Sequence, residues 1–150
     1  MTKPQFVYVI YIRATADEVW SGLLDPEWTR KYWMHDNISD WKPGSPWTHK
    51  RTDPAGTVDI AGQVIESDRP RRLVLTWAKP ADAGNPVKTS RVSFELAPEE
   101  WPGGPWVRLT VAHTELEPDS EMFHSVSYGW PGLMSGLKTM LERRTFEKNP

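Results

Sequence analysis

The sequence predicts an α+β domain: a curved antiparallel sheet of about seven strands around one long C-terminal helix, with two short helices after the first strand. Three observations carry this. A short β-branched and aromatic run, Phe6 to Ile12, comes first. A series of alternating apolar segments separated by Pro/Gly turns fills the middle. One apolar stripe at helical spacing closes the chain. An antiparallel sheet with one apolar face needs a cover, and the last helix is the only element large enough to be that cover.

Phe6 to Ile12 is too short for a helix and continuously apolar, which predicts a strand buried on both faces. Thr15-Ala16-Asp17-Glu18 spells a capping box, and Val19, Trp20, Leu23 and Leu24 continue it as an amphipathic helix ending at Asp25-Pro26. Pro26 suits the first position of a second short helix reaching about Trp33, so the two form a V. Turns at Pro43-Gly44, Asp53 to Gly56 and Asp68 to Pro70 then separate strands Trp47 to Arg51, Val58 to Glu66 and Leu73 to Trp77. After a loop from Lys79 to Val87, Val92, Phe94 and Leu96 alternate with polar residues. So do Val107, Leu109 and Val111 beyond the Trp101 to Pro105 turn. Trp130, Leu133, Met134, Leu137 and Leu141 form the closing stripe, predicting a helix over residues 130–143 in which Arg143 and Arg144 complement the C-terminal dipole.

The 150 residues fit one domain, 1–150, without internal repeat or linker. The absence of cysteine excludes disulfides, thiolate metal sites and a cysteine nucleophile. A net charge of −2 is too balanced for an electrostatic nucleic-acid binder, so no nucleic-acid partner is expected. No run of 18 apolar residues and no signal-peptide pattern occurs, so neither a membrane span nor export is expected, and the cytoplasm is the expected compartment. Nine tryptophans exceed the four tyrosines and four phenylalanines together, which points either to an aromatic core or to a pocket lined with rings.

Four local motifs carry a resemblance. Ala14-Thr15-Ala16-Asp17-Glu18-Val19-Trp20 resembles the A-x-x-E-x-V-W opening of the START-like (SRPBCC) helix-grip superfamily, which has the birch-pollen-allergen fold. Arg72-Leu73-Val74-Leu75-Thr76-Trp77 and Leu109-Thr110-Val111-Ala112-His113-Thr114 resemble two of its strands. Gly129-Trp130-Pro131, followed by Leu137 to Glu142, resembles its long helix. Together they resemble the branch containing the C-terminal domain of the heat-shock-protein-90 ATPase activator, over residues 6 to 143. The resemblance implies a helix-grip fold that hosts binders, cyclases and co-chaperone modules alike. The activator also has a further N-terminal domain, for which 150 residues leave no room.

None of His35, His49, His113 and His124 pairs with another at helical spacing, so no metal site is expected, and no cofactor fingerprint occurs. His113 shares parity with Leu109 and Val111 and should face the covered side of the sheet. There it is either a hydrogen-bonding or acid/base group in a pocket, or a buried histidine satisfied by its neighbours. Trp28, Trp33, Trp41 and Trp47 fall in the V and the first hairpin, where they either line a cavity or seal its mouth, with Met34, Met122, Met134 and Met140 as adaptable lining.

The leading expectation is a binding module for a hydrophobic or aromatic small molecule. Its pocket between sheet and helix would be lined by Trp33, Trp77, Phe94, His113, Trp130 and Met134, with His113 as polar anchor. One alternative is a cofactor-free cyclase or hydrolase using His113 or Tyr128 for proton transfer. The other is a chaperone-interacting module.

Overall fold

The computed structural model describes residues 2–148. The chain runs β1 (Phe6–Ile12), α1 (Ala16–Leu24), α2 (Pro26–Tyr32), β2 (His35–Ile38), β3 (Pro46–Arg51), β4 (Val58–Asp68), β5 (Arg72–Trp77), β6 (Ser90–Glu99), β7 (Trp106–Thr114) and α3 (Glu121–Lys148). All strands are antiparallel in one seven-stranded sheet of order β1-β7-β6-β5-β4-β3-β2. The helix-grip fold is present: the curled sheet holds α3 against its apolar face.

The first helix begins as its sequence dictates. The Glu18 amide donates to Thr15 Oγ1 at 3.1 Å, and the Thr15 amide donates to the Glu18 carboxylate at 3.0 Å. Asp25 ends α1 and caps α2, its carboxylate accepting from the Glu27 amide at 3.0 Å, with Pro26 in the first turn. Thr15→Ala should therefore cost about 0.5–2 kcal/mol in chemical denaturation, whereas Thr15→Asn should be nearly neutral. Equal losses would mean that the Thr15 oxygen does not cap α1.

Three elements depart from expectation. β1 is an edge strand, not one buried on both faces: Val7 and Val9 are 51% and 48% exposed. A continuous apolar run looks the same at the centre or the edge of a sheet, and β1 pairs only with β7. The strand β2, with a single aliphatic residue in His35-Asp36-Asn37-Ile38, has no hydrophobic period to announce it. The last helix starts at Glu121 instead of 130, with Pro131 inside it, and ends beyond Arg143 and Arg144. Those arginines therefore sit a turn short of its end, where Lys148 stands in the last turn.

The core is the α3 stripe meeting the inner face of the sheet. Val126, Trp130, Met134, Leu137 and Leu141 are buried against Leu73, Leu75, Trp77, Val92, Phe94, Leu96, Leu109 and Val111. Leu137 also meets α1, where a Cβ on Gly22 would lie only 2.7 Å from its Cδ1. In β4, a Cβ on Gly62 would stand 2.0 Å from the Thr76 carbonyl oxygen. Only glycine allows that approach, beside the bond in which Trp47 Nε1 donates to the same oxygen at 2.9 Å.

Candidate functional site

The inner face of β5, β6 and β7 and the facing stripe of α3 bring together all six residues expected to line a pocket. Trp77, Phe94, His113, Trp130 and Met134 are buried, and Trp33 at the end of α2 is half-buried. Alternation explains the strand residues, since Trp77, Phe94 and His113 share parity with the apolar positions of their strands. Trp130 and Met134 are one helical turn apart on α3.

Rings occupy the space between sheet and helix. The Trp130 centroid lies 5.7 Å from Trp33, 5.5 Å from Trp77 and 5.7 Å from Phe94. Trp33 reaches this cluster because Met34, at φ 54°, turns the chain out of α2 and leaves its own side chain exposed.

A directional hydrogen-bond chain crosses the cluster. Trp130 Nε1 donates to His113 Nδ1 at 3.1 Å, so the imidazole proton resides on Nε2. That nitrogen donates to Ser90 Oγ at 2.7 Å, and the Ser90 hydroxyl donates to the Trp77 carbonyl at 3.1 Å. Both His113 nitrogens are thereby committed, and burial pushes its pKa down to about 3. The ring is a neutral, fully bonded tie between sheet and helix. Tyr128 does not join it, being 89% exposed on α3.

Sequence reading missed a second histidine. His49 on β3 is buried, with its ring 6.0 Å from Trp77 and 4.6 Å from Trp33. Its Nδ1 bonds the Asn37 side-chain oxygen at 2.6 Å, and Asn37 Nδ2 donates to the Leu23 carbonyl at 2.9 Å. Burial first, and then the neighbouring His35, hold the His49 pKa down at about 3. His35 stacks on it at 3.9 Å and 4°. The Nδ1 of His35 bonds the Trp33 carbonyl at 2.7 Å, and its Nε2 bonds Asp59 at 2.8 Å. The Arg51 guanidinium beside Asp59 holds that carboxyl down at about 2. The signal for the pair was the inward parity of His49 with Trp47, but His35 became its neighbour only through the unrecognised β2. Among the described residues no three His, Asp or Glu side chains converge as a metal site.

One polar atom of the cluster has no partner. Trp77 Nε1 is buried and donates to nothing among the described residues. A buried indole N–H normally finds an acceptor.

The other tryptophans and methionines disperse. Trp41 and Trp47 adjoin the cluster, 6.4 Å apart and with Trp47 5.4 Å from Trp77. Trp28 does not: it lies in a separate outer groove of about 810 Å³ between α2 and α3. Met140 lines that groove, Met122 another, and Met34 is exposed, so only Met134 of the four lies in the ring cluster.

No curated protein matches the sequence significantly. Among solved structures, a Mesorhizobium loti protein is similar at 22% identity and TM-score 0.74, over 93% of this chain and 98% of that one. The Aha1 dimer from Colwellia psychrerythraea is similar at 16% identity and TM-score 0.72, over 93% and 96%. An HSP90 activator from Plasmodium falciparum gives 16% and 0.71, over 92% and 96%. At these identities the structures establish the shared fold. No helix among the described residues is long and apolar enough to cross a membrane. The sequence itself matches the family model described as activator of Hsp90 ATPase homolog 1-like protein over residues 13–142, and the chain belongs to that family.

Proposed function

We propose that the domain binds an apolar, aromatic small molecule between the sheet and α3, among Trp33, Trp77, Phe94, His113, Trp130 and Met134. The observation that carries this reading is the unpartnered Trp77 N–H, a buried donor that a ligand carbonyl or ether oxygen would satisfy. Trp77, not the fully bonded His113, is then the polar anchor, and the neutral His113 and His49 add polarisable ring surface. Trp33 is the one half-buried member of the set and the last residue before a left-handed turn, so its outward swing makes room. The cytoplasm is the proposed compartment.

The test is a titration of intrinsic tryptophan fluorescence with flavone and a panel of aromatic ketones. Saturable quenching is expected, weakened about tenfold in Trp77→Phe, which keeps a ring and removes the donor, since a hydrogen bond of about 1.4 kcal/mol corresponds to that factor. Met134→Trp, which puts a larger ring at a fully buried position of the α3 stripe, should abolish it. Quenching that survives both variants unchanged would place binding elsewhere.

A second reading, contact with a chaperone of the Hsp90 class, is favoured by membership of the activator of Hsp90 ATPase homolog 1-like family and by the similarity to the Aha1 dimer and the HSP90 activator. Co-elution of the purified chain with such a chaperone, together with a change in its ATPase rate, is the expected result under this reading. Neither effect at micromolar concentrations would remove it.

A further inference from the structure

We propose that the outer groove between α2 and α3 docks an extended acidic peptide segment of a partner protein. This rests on a different part of the molecule from the interior ring cluster. The groove follows α3 from Ser135 to Glu147, about 18 Å at the helical rise, which is the length of five or six extended residues.

One end is apolar and rigid. Tyr32 and Met140 line it, and the Tyr32 hydroxyl is fixed by donation to the Gly22 carbonyl at 2.7 Å. The helices come close because Gly136 has no side chain: a Cβ there would lie 3.2 Å from Tyr32 Cβ.

The other end is cationic. Lys31 Nζ lies 4.8 Å and Arg144 Cζ 4.6 Å from the centroid of the Trp28 ring. Cation–π attraction holds both charges over one indole, within about 10 Å of each other. No carboxylate among the described residues pairs with either, whereas the nearby Arg143 is taken by Glu147 at 3.2 Å. Two like charges held over one ring form a site that an anion relieves, in a chain whose overall charge is −2.

Charge and shape together fix the occupant. Carboxylate side chains belong at the Trp28 end, and a leucine- or phenylalanine-sized side chain belongs over Met140. A concave trough of this length suits a strand of peptide. A lipid surface would instead meet a convex face.

The experiment is fluorescence anisotropy of a panel of labelled, end-blocked hexapeptides, each combining Glu or Asp with one Leu or Phe, against matched peptides carrying Gln or Asn. Acidic members should bind saturably. Binding should weaken at least tenfold in the Lys31→Gln/Arg144→Gln double variant, and should fall as salt is raised from 50 to 500 mM. Thr139→Trp, an exposed substitution that fills the trough, should abolish it with thermal stability unchanged, while Trp77→Phe should leave it intact. Four results would overturn the proposal: equal binding of the amide peptides, unaltered binding by the double variant, no binding by any acidic member, or capture by anionic phosphatidylserine vesicles in place of the peptides.

Discussion

Leu137→Asp should leave the chain largely unfolded at 37 °C. Leu137 is fully buried at the point where α3 meets both the sheet and α1, with its Cδ1 in the space that a Cβ on Gly22 would need. Truncating such a leucine costs about 2–5 kcal/mol, and an unpaired carboxylate in the same place adds its desolvation. The sum is comparable with the whole stability of an ordinary domain, about 5–15 kcal/mol. Leu137→Met, which conserves volume, should cost less than about 1.5 kcal/mol. Thermal and urea denaturation measure both. An Asp variant that melts within a few degrees of the parent would show that α3 is not the cover of the sheet.

Acid should unfold the protein earlier than its carboxylates alone dictate. His49 and His113 both have folded pKa values of about 3, against an ordinary value of 6.5. The unfolded chain therefore takes up protons that the folded chain refuses. The stability is fully present above pH 6.5 and is lost as pH falls from 6.5 towards 3. Each histidine gives a slope of about 1.4 kcal/mol per pH unit, so the pair removes roughly 3–4 kcal/mol between pH 6.5 and 5. Protonated His113 also loses the acceptor that Trp130 uses. Urea unfolding across pH 5–7 is the measurement. His113→Gln and His49→Gln should each reduce the slope by about one proton, whatever they do to stability at pH 7. A flat dependence between pH 5 and 6.5 would contradict the burial of both rings.

Much of this architecture was legible because local chemistry and global packing agree. The capping box at Thr15, Pro26 at the head of α2, the alternation of β6 and β7 and the stripe from Trp130 to Leu141 each obey one period and one cap rule. The first turns of α3 were not legible, because Ser125, Ser127 and Gly129 dilute the helical signal and Pro131 suggests a boundary. Yet Met122, Val126 and Trp130 at four-residue spacing already extend the stripe. For the candidate site, strand parity placed Trp77, Phe94 and His113 inside. Parity says nothing about hydrogen bonds between elements, so the commitment of both His113 nitrogens and the orphan Trp77 N–H appear only when Ser90 and Trp130 are in place. His35 and His49 meet through a strand of four polar or weakly apolar residues, which no periodicity marks.

The placement of β1 has a consequence in time. Phe6 faces His113 and Ile12 faces Val107, so β1, made before the other strands of this sheet, pairs only with β7, made after them. About 100 residues must be added before its partner exists, roughly 5–20 s at ordinary translation rates. For that interval Phe6-Val7-Tyr8-Val9-Ile10-Tyr11-Ile12 is an uncharged, strongly β-prone heptad with every backbone donor and acceptor open, the composition from which cross-β stacking starts. Until β7 arrives this strand has no partner at all, and afterwards only its outer edge stays open, so the hazard is largest before β7 is made and smaller once it has paired.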